Sequence, residues 1–169
     1  GPSSNPVADL TLSFDDASRL SPASLGISAQ TVNINEPHLV SRLPSGGLAT
    51  MSANFPVMIT IEPPSTGGLT QHRVTHVEVH THALAYVAGS PLRLFKAPLN
   101  GAFRDITESI APGSVRARGT TPGWSQFIIV TDLRSTSTVI ASKFVYLRGQ
   151  LSALPSSEST PLKNYLDLA

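Results

Sequence analysis

The segment Arg73-Val-Thr-His-Val-Glu-Val-His-Thr-His-Ala-Leu-Ala-Tyr-Val87 is the longest strand-like run in the chain. Successive side chains of an extended strand point to opposite faces, so this alternation separates polar from apolar positions. Val77 and Val79 fall on one face. The other face, which we call the histidine face, carries His76, Glu78, His80 and His82. The segment therefore predicts a long strand with one buried face and one polar face.

The histidine face is the group of side chains that most suggests chemistry. Two imidazoles in the His80-x-His82 spacing lie on the same side of a strand and can converge on zinc, nickel or copper. Glu78 can add an oxygen ligand, and His76 lies at the far end. The alternative interpretation is the solvated face of an antiparallel sheet, where histidine, glutamate and threonine are ordinary residues. Leu84 fits neither interpretation unless a bulge shifts the register, because simple alternation places it among the histidines.

Short strand-like segments separated by turn signals surround this strand. Ala8–Phe14 alternates with leucines and phenylalanine on one face, which predicts a half-buried strand. Trp124–Thr131 is almost continuously apolar, which predicts a central strand buried on both faces. The other predicted strands are Ile27–Ile34, His38–Leu43, Phe55–Glu62, Leu92–Lys96, Ala102–Thr107 and Ser114–Arg118.

The spacing of apolar residues changes after Asp132. Apolar residues then recur at helical spacing as far as Leu151, with Ser137-Thr138 as the expected cap, and Thr160-Pro161 begins a second predicted helix. The pattern predicts a mainly β fold: an antiparallel immunoglobulin-like β-sandwich with a short C-terminal helical extension. We expect residues 1–6 to be a tag remnant or linker, residues 7–133 to form the sandwich, and residues 134–169 to form the extension, which leads into a missing C-terminal region.

The composition argues against several classes of function. Charged residues make up 14% of the chain, against about 25% in typical soluble domains, and the net charge is +1. There is no basic run to favour a nucleic-acid partner, and no apolar stretch of about 20 residues to span a membrane. The absence of cysteine excludes disulfides, cysteine nucleophiles and thiolate metal sites.

The sequence gives little support to an enzyme. No G-x-S-x-G segment marks a nucleophilic serine, and the adjacent carboxylates Asp15 and Asp16 diverge at a strand end. Trp124 is the single tryptophan, and its position between a turn and a buried strand favours a core role over stacking on a glycan.

Four segments near the end of the predicted sandwich resemble the closing hairpins of immunoglobulin-like domains in secreted bacterial proteins. They are Phe95–Pro98, Gly101–Thr107, Gly113–Gly119 and Gly123–Phe127. More narrowly, residues 8–150 resemble a family of exported proteobacterial β-sandwich domains of unknown function in which helices follow the sandwich. The resemblance implies the sandwich fold and a secreted or periplasmic location, and it transfers no catalytic or binding residue.

These observations predict a non-enzymatic exported module for binding, adhesion or assembly, with an unidentified protein or glycan partner and no required cofactor. The alternative prediction is a zinc or nickel site on His76, Glu78, His80 and His82 that supports a metal-dependent activity.

Overall fold

The chain folds as a mainly β protein, with 39% strand and 24% helix, in a computed structural model. The structure describes residues 6–44, 47–71, 73–85, 87–111 and 114–168. Residues 1–5 of the expected tag remnant lie outside this part. Contacts divide the chain into two compact units, Gly1–Leu133 and Arg134–Ala169.

The first unit contains twelve strands and two short helices among the residues that the structure describes. The strands are β1 Ala8–Phe14, β2 Ala17–Ser18, β3 Ile27–Thr31, β4 Ala49–Met51, β5 Val57–Ile61, β6 Thr70–Gln71, β7 Thr75–Ala85, β8 Leu92–Ala97, β9 Arg104–Asp105, β10 Thr107–Ala111, β11 Ser114–Thr121 and β12 Gln126–Asp132. The helices are α1 Pro22–Leu25 and α2 Pro37–Ser41.

Two antiparallel sheets form most of the first unit. The first sheet has the order β1-β7-β11-β10. The second has the order β3-β5-β12-β8-β9, with β4 also pairing with β12, and β2 pairs with β6 in a small separate ribbon. Strand β7 carries the histidine face and is therefore flanked on both sides within the first sheet.

The two sheets bury a shared core between them. Val77 and Val79 of β7 are each 1% exposed and belong to the same cluster as residues of the second sheet, including Ile61, Phe127 and Ile129. Full burial of a side chain of this size contributes roughly 1.5–3 kcal/mol. The predicted inward face of the histidine strand is confirmed, and the face-to-face packing is consistent with the expected immunoglobulin-like sandwich.

The second sheet is also covered on its other face. Leu39 of α2 packs there with Phe95, Phe103, Ile128 and Val130. Strand β12 contributes to both clusters, because Phe127 and Ile129 face the first sheet while Ile128 and Val130 face the opposite side. The prediction that this strand is central and buried on both faces is confirmed.

The predicted strand His38–Leu43 is wrong, because Pro37–Ser41 forms helix α2. The Glu36 carboxylate accepts hydrogen bonds from the backbone N–H groups of His38 and Leu39, at 3.0 and 2.8 Å. These bonds cap the helix and hold the pKa of Glu36 below its usual value. Pro37 is compatible with the first turn, so local capping prevails over the apolar alternation.

The second unit consists of two helices, α3 Thr136–Leu151 and α4 Ser156–Asp167, which confirms the predicted C-terminal helices. Helix α3 is capped by Ser135, two residues before the predicted cap. Helix α4 begins at Ser156, four residues before the predicted start, and retains Pro161 inside it. Within the described residues, we find no helix with the length and hydrophobicity needed to cross a bilayer.

Candidate metal centre

The histidine face lies on the outer side of the first sheet, and three of its residues, His76, Glu78 and His80, have a paired neighbour on both flanking strands. His80 is paired with Asp9 on β1 and with Arg116 on β11. Side chains directly opposite each other in an antiparallel sheet lie about 4.5–5.5 Å apart at Cβ and interact directly. The environment of these three residues is therefore determined largely by their partners on β1 and β11, whereas His82 lies at the irregularity in the β7–β11 register.

Strand β7 contains a bulge near its C-terminal end, between Thr81 and Ala85. This bulge explains the position of Leu84. Val115 pairs with Thr81, whereas the preceding Ser114 pairs with Ala85, so β7 holds extra residues at this point. The hydroxyl of Thr81 accepts a hydrogen bond from the N–H of Ala83, at 3.1 Å. Leu84 consequently turns into the core and is 7% exposed, while the His82 side chain stays on the outer face. The bulge is the condition under which the sequence allowed Leu84 to leave the histidine face.

Three side chains converge immediately before this bulge: Asp9, His80 and His82. The His80 Nδ1 atom lies 3.4 Å from Asp9 Oδ2, and the His82 Nε2 atom lies 3.9 Å from the same oxygen. One ligand atom from each of the three residues lies within 4.8 Å of the others. The imidazole rings meet edge to face, with their centroids 4.5 Å apart. We call this group the Asp9 cluster.

The separations within the Asp9 cluster are near those that a tetrahedral ion requires. Zinc binds imidazole nitrogen and carboxylate oxygen at about 2.0–2.2 Å, which puts neighbouring ligand atoms about 3.3–3.6 Å apart. The His80–Asp9 separation already has this value. The side chains of His82 and Asp9 are 54% and 59% exposed, so small rotations can bring the third ligand atom closer.

Glu78 is held by arginines instead of joining the cluster. Its carboxylate forms an ion pair with Arg118, and its other oxygen lies 3.8 Å from Arg116 Nε. These interactions run across the strand pair β7–β11. Glu78 also attracts Arg116, the cationic residue paired with His80, and so partly neutralises a charge that would repel a metal ion.

His76 lies at the other end of the face and has its own partners. Its Nε2 atom is 3.2 Å from Asp15 Oδ1, and its Nδ1 atom is 3.2 Å from the hydroxyl of Thr120. Both ring nitrogens are therefore in hydrogen-bonding positions that are separate from the Asp9 cluster. Of the four residues predicted as ligands, the structure brings His80 and His82 together and places His76 and Glu78 in other interactions.

A family of unknown function (DUF6689) has a sequence profile that matches residues 1–169. The chain belongs to this family. No curated protein and no solved structure matches the chain. The family description assigns no function, so any activity of this DUF6689 chain has to be argued from its own residues.

Asp9 is the residue of the cluster that sequence reasoning missed. The alternation of β1 places Leu10, Leu12 and Phe14 toward the core, which by itself puts Asp9 on the outer face of the strand. The signal was thus present in the sequence. The sequence did not reveal that β1 pairs with β7, and this pairing places Asp9 opposite His80.

The tryptophan of this DUF6689 chain has a packing role. Trp124 is partly buried against the core between the sheets, and its ring centroid lies 5.8 Å from that of Phe14. Tilted aromatic pairs at such separations add to the stability supplied by burial. The side chain therefore contributes to the core, in agreement with the interpretation favoured by the sequence.

Proposed function

We propose that this domain is a non-enzymatic exported binding module, and that its ligand is a divalent transition-metal ion, zinc or nickel, held by Asp9, His80 and His82. The proposal rests on one observation: ligand atoms of these three side chains lie within 4.8 Å of one another. Two of the three residues come from β7 and the third from β1, so the paired strands hold the group together.

The donor set selects the class of ion. Imidazole nitrogen suits zinc, nickel and copper, whereas calcium and magnesium prefer sites built from oxygen. One carboxylate beside two neutral imidazoles offsets half of the charge of a divalent ion. Three protein ligands also leave a coordination position for water or for a group on a bound molecule.

The surroundings of the cluster favour binding over catalysis. Catalytic and cofactor sites usually lie in concave pockets that exclude water, whereas Asp9 and His82 are more than half exposed on an open sheet face. Glu78 is the one carboxylate on β7 that could act as a general base, and it is engaged by Arg118 and Arg116. An exposed ion in this setting can anchor a partner without performing chemistry on it.

Calorimetric titration of the chelator-treated chain with zinc and with nickel tests the proposal. We expect one ion per chain, bound more tightly than about 10 µM, which corresponds to roughly −7 kcal/mol. His82→Ala should weaken binding at least about tenfold. Loss of a residue that only supports a ligand already costs about 10–100-fold in metal affinity, and His82 is proposed as a ligand itself. His76→Ala is the matched control, because it removes the same side chain from the same face of β7, and it should leave affinity within about twofold.

Two results would contradict the metal proposal. One is binding weaker than about 10 µM for both ions. The other is an equal loss of affinity in His76→Ala and His82→Ala, which would indicate nonspecific histidine binding. Circular dichroism of each variant would show that the fold is retained.

The exported location is the second part of the proposal, and the resemblance of its closing segments to those of secreted bacterial sandwiches supports it. The absence of cysteine is compatible with an oxidising compartment, where free thiols are a liability. A fusion of the complete natural gene to a reporter enzyme that folds only outside the cytoplasm, expressed in a bacterial host, tests it. Reporter activity is expected, and activity no higher than that of a leaderless control would refute export.

A further inference from the structure

An apolar cleft of about 200 Å³ opens between the terminal strands of the two sheets. Strand β1 ends the first sheet and β3 ends the second, and both contribute to the walls. Asp9 is the single charged residue among those that line the cleft. The rest of the lining is apolar and includes Ile27, Ala29, Phe55 and Ile59.

The cleft exists because the first sheet does not extend over β3. Every residue of β3 is exposed, including Ile27, which is 44% exposed although it lines the cleft together with Ala29. Phe55 and Ile59 at the same cleft belong to the core and are 1% and 6% exposed. An additional strand beside β1 would continue the first sheet and cover this side of β3.

The free edge of β1 has the geometry to accept such a strand. Among the residues that the structure describes, β7 is the strand that pairs with β1, and the register runs without a bulge from Ala8 to Phe14. Alternate backbone N–H and C=O groups of β1 therefore point away from β7. Natural edge strands are usually blocked by lysine, proline, a bulge or short length. The seven residues of β1 contain none of these, and the single charged residue of the strand, Asp9, lies beside His80 and His82 on the outer face.

We propose that an extended segment of a partner protein adds to the free edge of β1 and inserts alternate apolar side chains into the cleft. A polypeptide strand is the ligand that satisfies a row of alternating backbone donors and acceptors, and lipids or small molecules do not. The volume is on the scale of the roughly 150 Å³ apolar cavities that accept a benzene-sized group. It suits one aromatic or two small aliphatic side chains.

The few charges near the cleft restrict which side chains the partner segment can carry. Strand β3 has no charged residue, and Asp9 is the only one in β1. A complementary segment is therefore apolar at its inward positions and free of acidic residues opposite Asp9. This site uses the edge and inner face of β1, whereas the proposed metal site uses its outer face, and Asp9 borders both.

A panel of nine-residue synthetic peptides tests this inference on the full chain. The peptides carry valine, leucine or phenylalanine at alternate positions with threonine between them, and each has a twin with proline at its centre. Fluorescence anisotropy measures affinity, and hydrogen exchange reports protection of the β1 amides. We expect at least one alternating peptide to bind with Kd below about 1 mM, and its proline twin to lose binding, because proline removes a donor from the ladder.

Substitutions on β3 locate the binding site. Ala29→Phe fills the cleft and should weaken peptide binding at least about tenfold. Ile27→Ser removes part of the apolar wall, with a smaller change in side-chain volume than Ala29→Phe, and should also weaken peptide binding. Ser28→Phe adds the same ring at a neighbouring exposed position that does not line the cleft, and it should change affinity by less than about twofold. His82→Ala should leave peptide binding unchanged.

Three results would overturn the inference. The first is the absence of binding across the whole panel, and the second is binding that both Ala29→Phe and Ile27→Ser leave intact. The third is self-association of the peptide-free chain in sedimentation experiments, abolished by Ala29→Phe, which would assign the edge to a second copy.

Discussion

The two ends of the histidine face carry similar side chains and have different chemistry. At one end His80 and His82 approach a shared carboxylate, that of Asp9. At the other end His76 lies between Asp15 and Thr120, with one partner for each ring nitrogen. The strand, the face and the residue type are the same, so the difference comes from the residues that the flanking strands place opposite.

Register explains this difference. Asp9 stands directly opposite His80, whereas the residue opposite His76 is Ser13. The bulge after Thr81 also keeps His82 on the outer face while the chain turns Leu84 inward. The Asp9 carboxylate therefore meets two imidazoles at one end of the face, whereas Asp15 meets a single imidazole at the other.

The largest expected effect is a gain of zinc binding when a second imidazole is added beside His76. Ser13→His places an imidazole directly opposite His76, whose ring already lies 3.2 Å from the Asp15 carboxylate, so that two histidines and one carboxylate come close together. In a His82→Ala background, we expect this substitution to restore binding of one zinc per chain, with Kd of about 10–100 µM. Calorimetry against the His82→Ala parent measures the gain.

The matched control for this gain is Thr11→His, which places the new imidazole opposite Glu78 on the same exposed face of β1. Because Arg118 and Arg116 already engage that carboxylate, we expect at least about tenfold weaker binding in the control than in Ser13→His. Equal affinities in the two variants would mean that register does not govern the site.

Much of the fold could be predicted from alternation alone. The inward positions of Val77 and Val79 and the double burial of β12 followed from the spacing of apolar residues, because burial of one face is a strong constraint on a strand. The same spacing left Leu84 on the polar face unless a bulge intervened, and the structure contains that bulge. Helix α2 could not be read in this way, since Glu36 and Pro37 stabilise a helix over residues that otherwise alternate like a strand. Local capping there outweighs the weak alternation of the six residues from His38 to Leu43.

The candidate site could be predicted only in part, because sequence spacing orders residues along one strand and does not reveal which strands are neighbours. The spacing identified His80 and His82 as a pair on one face. Their carboxylate partner lies on β1, far away in the sequence, and could be assigned only when the β1–β7 register was known. The pairing of β7 with β11 was likewise unknown from the sequence, and it places Glu78 beside its arginine partners.

The smallest expected effect is that of replacing Glu78. It tests whether this residue is a metal ligand, as the sequence predicted, or an ion-pair partner of Arg118 and Arg116, as in the structure. Glu78→Gln removes the charge that pairs with Arg118 and Arg116, and partly exposed ion pairs of this kind contribute about 0.2–1 kcal/mol to the free energy of unfolding. Urea denaturation should show a loss in that range, while calorimetry should show zinc affinity changed by less than about threefold. A loss of tenfold or more would instead make Glu78 a ligand, because the released charge of the exposed Arg116 is expected to weaken affinity by only about a few-fold.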